Sequence, residues 1–149
     1  MVPFDIHRKS LPPSLKKLTL VGSHVKWGKM SIIGRLPNLE VLKIKDNFFS
    51  GPIWETREKG FRSLKFLKLS HVDLQQWISC SSHFPRLEHL VLNGCLDLEE
   101  IPTEIGEIGT LHTVEVYRSS ISTVEWAKEI QEILCEVVKV LIYQHFQEF

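Results

Sequence analysis

Apolar residues recur along this chain in a fixed six-residue figure. SLKKLTLVG, NLEVLKIKD, SLKFLKLSH, RLEHLVLNG and TLHTVEVYR all read L-x-x-L-x-L, with aliphatic substitutions only. The first positions are Leu15, Leu39, Leu64, Leu87 and Leu111, spaced by 24, 25, 23 and 24 residues. The fourth are Leu18, Leu42, Leu67, Leu90 and Val114, and the sixth Leu20, Ile44, Leu69, Leu92 and Val116. Four of the five units also carry a large apolar residue three places before the first position: Leu36, Phe61, Phe84 and Ile108.

Side chains alternate along a strand, so positions four and six of each unit point the same way. The pattern predicts short strands stacked in parallel, whose aliphatic residues fill an interior that no single unit closes alone. A return path brings Asn47, Leu74, Cys95 and Leu98 inward. A registered period of this length marks leucine-rich repeats. The expected fold is an α/β-type solenoid, a horseshoe of about five repeats over residues 15–121, preceded by a lead-in at 1–14 and followed by a capping helix and tail at 122–149. The lead-in reads as the remnant of a preceding repeat, which leaves an open apolar edge on the first one. In the last segment Ser122 and Glu125 fit a capping box. Trp126, Ile130, Ile133, Leu134 and Val137 then recur at helical spacing, which predicts a helix over about 123–135. The run VVKVLIY suits a helical continuation or a final strand equally well.

Composition narrows the chemistry. The chain has 149 residues, 43% of them apolar, and its 18 basic and 18 acidic side chains cancel, so global charge favours neither nucleic acid nor an anionic membrane. It holds no apolar run of membrane-spanning length, and MVPFDIHRKS does not read as a signal peptide. Three separated cysteines without a CxxC, and asparagines outside any N-x-Ser/Thr sequence, point to a reducing, cytoplasmic setting. GSHVKWGKM approaches a phosphate-binding loop but has five residues between its glycines and Met30 in place of the hydroxyl. It reads instead as a turn and return path, with Gly22 at the turn and Trp27 and Met30 packed or on the outer arc. Cys80, His83, His89 and Cys95 lack the short paired spacings of a structural zinc site, so no metal is expected. DNFFSGPI has the flavour of extracellular plant receptor repeats but occurs once. Glu125, Glu129, Glu132 and Glu136 on the tail helix disfavour a membrane-surface role.

Several strings go beyond a generic repeat. LPPSLKKLTL, LPNLEVLKIKDNFFSG, GFRSLKFLKLSHVDLQQW, HFPRLEHLVLNGCLDLEEIPTEIGEIGTL and VEWAKEIQEI resemble the C-terminal repeats of plant coiled-coil nucleotide-binding leucine-rich-repeat receptors. The likeness is greatest to the late-blight-resistance-like group of solanaceous plants and runs from about residue 11 to residue 143. Its most specific block is matched by Phe84, Pro85, Leu87, Leu90, Leu92, Cys95, Leu98, Ile101 and Pro102, all scaffold positions. The resemblance implies an intracellular immune switch, peripheral to membranes at most, whose repeats recognise a pathogen effector or guarded host protein and restrain the receptor's own nucleotide-binding module. ATP or ADP is expected only on that module, which this sequence lacks, and no enzyme activity is expected of the chain. The alternative is a free-standing scaffold or substrate-adaptor subunit.

The candidate partner-binding face comprises the strand positions that point away from the leucines, together with the residue after each strand. It gathers Val41, Lys43, Lys45, Phe66, Lys68, His71, His89, Val91, Glu115, Tyr117 and Arg118. Lys43, Lys45 and Lys68 beside an exposed Phe66 would form a basic patch with an aromatic anchor.

Overall fold

The computed structural model describes residues 11–144. Residues 1–10 of the expected lead-in and residues 145–149 of the tail lie outside them.

Each L-x-x-L-x-L unit supplies one five-residue strand. These are β1 (Lys17–Val21), β3 (Val41–Lys45), β6 (Phe66–Ser70), β8 (His89–Asn93) and β9 (Thr113–Tyr117). Between them run the short strands β2 (Val25–Lys26), β4 (Phe49–Ser50), β5 (Ile53–Glu55) and β7 (Gln76–Ile78), and the helix α1 (Met30–Gly34). The chain then forms α2 (Ile121–Leu134) and β10 (Lys139–Tyr143). Among the described residues the main sheet has six parallel strands in the order β1-β3-β6-β8-β9-β10. Two small parallel pairs, β2 with β4 and β5 with β7, lie on the return path. The fold is therefore mixed α/β with a mainly parallel sheet.

Pairing is offset by one sequence unit, so each residue faces its own equivalent. Leu18, Leu42, Leu67, Leu90, Val114 and Val140 form one inward row; Leu20, Ile44, Leu69, Leu92, Val116 and Ile142 form the next. From Leu42 to Val116 these side chains are fully buried. The run VVKVLIY resolves as the final strand. Val137, Val140 and Ile142 repeat the L-x-x-L-x-L spacing in β-branched form, and α2 spans the gap between β9 and β10. The helix covers core between two strands rather than closing the molecule, and β10 is the edge.

Strands β1, β3, β6, β8 and β9 each end in a left-handed turn at the same place. Gly22, Asp46, His71, Gly94 and Arg118 have φ of +48°, +50°, +52°, +66° and +43°. Three of these are not glycine, at a cost of about 1–2 kcal/mol each. The conformation aims each N–H at the last carbonyl of the neighbouring strand: Gly22 to Lys45, Asp46 to Ser70, His71 to Asn93, Gly94 to Tyr117 and Arg118 to Tyr143, at 2.7–3.1 Å. At Gly94 a Cβ would also lie 2.3 Å from the His71 ring.

The opposite wall of the core is aromatic. Trp27, Trp54 and Trp77 stack with centroids 5.2 and 5.1 Å apart, and Phe61 stacks on Phe84 at 5.3 Å. Trp27 and Met30, from the stretch GSHVKWGKM, are thus core residues and not surface of the outer arc. Asn47 accepts from the Asp73 N–H at 2.8 Å, and Asp73 in turn accepts from the Ser50 hydroxyl and the Gly51 N–H. These bonds tie consecutive units where the return path leaves the sheet.

The α2 cap differs from the expected one. Ser120, not Ser122, is the N-cap, and its Oγ accepts from the Thr123 N–H at 3.1 Å. Its hydroxyl donates to the carbonyl of Leu98, which fixes Ser120 in the extended conformation a cap requires.

Leu90 lies between Leu67 and Val114 with no exposure. Leu90→Asp should lose about 2–5 kcal/mol of packing and roughly 1–3 more for an unpaired buried polar group. Against a typical stability of about 5–15 kcal/mol, circular dichroism should show the sheet largely unfolded. A wild-type melting temperature would contradict the register.

Candidate functional site

The outward face of the main sheet displays three rows in the same register. The first is Lys17, Val41, Phe66, His89, Thr113 and Lys139. The second is Thr19, Lys43, Lys68, Val91, Glu115 and Leu141, and the third Val21, Lys45, Ser70, Asn93, Tyr117 and Tyr143. Alternation along each strand decides membership of this face, because the fourth and sixth positions of each unit are committed to the core.

The side chains form a connected series across the strands. The Lys43 ammonium lies over the Phe66 ring, 5.8 Å from its centroid, a cation–π arrangement. Phe66 meets His89 edge to face at 4.9 Å. His89 Nε2 pairs with one Glu115 carboxylate oxygen, and the Tyr117 hydroxyl donates to the other. Tyr117 then stacks on Tyr143, with centroids 5.2 Å apart and planes within 5°. A cation, three kinds of ring and a carboxylate are joined from β3 to β10.

Glu115 is the electrostatic hinge of this series. Partial burial pushes its carboxyl up, but the hydrogen bonds from Tyr117 and His89 and the positive charges of His89 and Lys68 outweigh that. The net result lies below the ordinary carboxylate value. The hydrogen bond to Glu115, followed by burial, pushes the Tyr117 phenol up to about 12.

The structure revises several sequence-based placements. Phe66 is half-buried between Lys43 and His89 instead of standing free. Val91 is only 5% exposed, with Lys68 and Glu115 flanking it in register. It is floor and not contact surface. His71 and Arg118 are exposed and lie in the left-handed turns one residue beyond their strands, the position from which the sequence pattern draws them. Val41, Lys43, Lys45, His89, Glu115 and Tyr117 sit on the strand face. The basic patch is divided, since Lys43 lies on Phe66 and Lys68 faces Glu115, so Lys68→Glu would set two carboxylates against each other across Val91. Sequence reasoning omitted Tyr143, whose signal was the aliphatic spacing inside VVKVLIY.

Cys80, His83, His89 and Cys95 do not converge. Cys95 is in the core with Sγ 3.5 Å from the Leu69 carbonyl, and burial pushes its thiol up to about 12. His83 bonds to Thr56 and His89 to Glu115, while Cys80 is exposed. Among the described residues no helix is long and apolar enough to cross a membrane.

The lowered Glu115 value fixes the sign of a pH effect. Its contribution is full above the ordinary carboxylate value of about 4.3 and is lost as pH falls through the lower folded value. Glu115→Gln should cost on the order of 1 kcal/mol near neutral pH, because the pair is partly solvated. The melting-temperature gap from wild type should narrow below about pH 4. A gap independent of pH would show that the carboxylate charge contributes nothing.

No family model matches the chain. Curated relatives do. The late blight resistance protein homolog R1B-13 of Solanum demissum is 40% identical over 137 residues, covering 91% of this chain and 12% of that protein. The homolog R1B-12 from the same plant is 38% identical over 138 residues, covering 91% of this chain and 10% of that protein. The chain spans about a tenth to a sixth of the length of the curated relatives it matches. With such identity sustained over nine-tenths of its own length, the chain is homologous to a segment of the late blight resistance protein homologs of Solanum demissum.

Proposed function

We propose that the chain is a leucine-rich-repeat segment of a plant disease-resistance protein and that the outward face of its sheet is a protein-recognition surface. The observation that carries this reading is the connected series Lys43, Phe66, His89, Glu115, Tyr117 and Tyr143 on one face. Arginine and aromatic residues dominate binding energy at protein interfaces, and rigid, pre-positioned rings lose little entropy on contact. Here the neighbours hold each ring. Lys43 and Lys45 at one end and Glu115 at the other give the face a polarity that would set a partner's orientation. The relatives' names place them in late-blight resistance, and we carry that role to this segment as recognition of an effector or guarded host protein, or as restraint of the receptor's own nucleotide-binding module. The segment contributes binding, and nucleotide chemistry resides elsewhere in the receptor.

The test is a chimera of the R1B-13 homolog in which the aligned segment is replaced by this chain, with the leaf cell-death response read at matched protein levels. Lys43→Glu with Lys45→Glu, and separately Phe66→Ala, should change the response. Lys26→Glu with Lys29→Glu, on the return path, should not. The charge variants should cost within about 0.5 kcal/mol per change in thermal unfolding of the isolated chain. A response equal to wild type in both sheet-face variants would remove this face from recognition.

A further inference from the structure

A second surface lies away from the sheet face, where α2 passes the 3-10 turn Thr103–Glu107. Between them is a groove of about 470 Å³, within the range of roughly 300–1,000 Å³ usual for binding pockets. Ile108, Trp126, Ile130 and Leu134 line it, and Ile133 and Val137 form its lip. The Trp126 indole N–H donates to the Pro102 carbonyl at 3.2 Å, which fixes the ring. Ile133 is 78% exposed and Val137 65%, so two aliphatic side chains stand in water beside an open apolar channel. At the mouth, a Cβ on Gly109 would meet nothing within 4 Å.

The rim is acidic. Glu107 and Glu129 line the groove itself. Glu125, Glu129 and Glu132 recur along α2 at intervals of four and three residues, and Glu136 follows in the turn after it, which sets a negative stripe beside the apolar lip. Within α2 only Lys128 opposes them. The asymmetry extends to the whole sequence: residues 1–96 carry 15 basic and 7 acidic side chains, residues 97–149 carry 3 basic and 11 acidic. A neutral total conceals an acidic C-terminal third around this groove.

We propose that the groove between α2 and residues 103–109 docks a short amphipathic helix of a partner protein, apolar on the face that enters and rich in Lys or Arg on its flanks. Such helices bind by placing residues at i, i+3, i+4 and i+7 into an apolar channel. The glutamate stripe lies where the flanking positions of that helix would run, and so selects positive charge. An anionic membrane surface is disfavoured, because the stripe would be repelled by it. A two-fold dimer through the groove is disfavoured as well, because α2 would set its glutamates against their own copies.

This inference is independent of the sheet-face reading, and the experiment separates them. The probe is a fluorescein-labelled peptide with Leu at helical i, i+3, i+4 and i+7 positions and Lys elsewhere, titrated with the full chain by fluorescence anisotropy. Saturable binding that weakens with salt is expected, with none for the same peptide carrying Glu for Lys or for a scrambled order. Gly109→Lys, Ile133→Asp, and Glu129→Lys with Glu132→Lys should each weaken binding roughly tenfold or more. The open space at Gly109 and the exposure of the other positions should leave circular dichroism unchanged. The sheet-face variant Lys43→Glu with Lys45→Glu should bind as wild type does. Absence of saturable binding, equal binding of the scrambled peptide, or indifference to all three groove variants would overturn the proposal. Self-association in sedimentation equilibrium that the groove variants abolish would also overturn it, assigning the groove to a second copy of the chain.

Discussion

Parallel pairing at an offset of one sequence unit is the constraint from which the other features follow. The backbone enforces it at both ends of every strand. The second and third residues of each unit donate N–H bonds back to one carbonyl of the preceding unit, as Glu40 and Val41 do to Lys16. The left-handed residue after the strand donates forward to the next. With register held at both ends, equivalent residues must face one another. That places leucine on leucine in the core, where equal shapes pack well.

The same constraint creates conflicts on the outer face. Lys43 stands opposite Lys68, and like charges paired directly across strands are destabilising. Each lysine finds a different partner: Lys43 turns onto Phe66, and Lys68 lies close enough to Glu115 to help hold its charge. The series of contacts on this face therefore serves the fold before it serves any partner. On the edge where strands begin, the second positions alternate in sign, and Lys65 reaches Glu40 at 3.3 Å. That exposed pair adds little to stability, but the alternation avoids repulsion that five identical charges would bring.

The two surfaces of the molecule differ in how they are held. Sheet-face groups are positioned by register and by one another, and most have a partner within the chain. The groove beside α2 is shaped by helix placement and by the bond from Trp126 to the Pro102 carbonyl. The 3-10 turn packs directly against the helix, so that a Cβ on Gly106 would sit in ordinary contact with Ile130 and Leu134 at 3.5–3.7 Å. Charge is distributed accordingly, paired across the sheet and unbalanced along α2.

The sequence by itself determined the strands, the inward rows, the turn at Gly22 and the existence of a helix near 123–135. These depend on local periodicity: a residue's place in a repeated figure decides which way it points, whatever its distant neighbours. Tertiary structure decided the rest. Ser120 became the helix cap because the Leu98 carbonyl, 22 residues away, holds its hydroxyl. VVKVLIY became a strand because β9 offered an unpaired edge, which its β-branched residues suit as well as they would a helix end. Trp27 went inside because Trp54 and Phe49 provide faces to stack upon. Val91, on the outward row between Lys68 and Glu115, is nearly buried, because the packing of neighbouring strands and not strand alternation alone sets what water can touch.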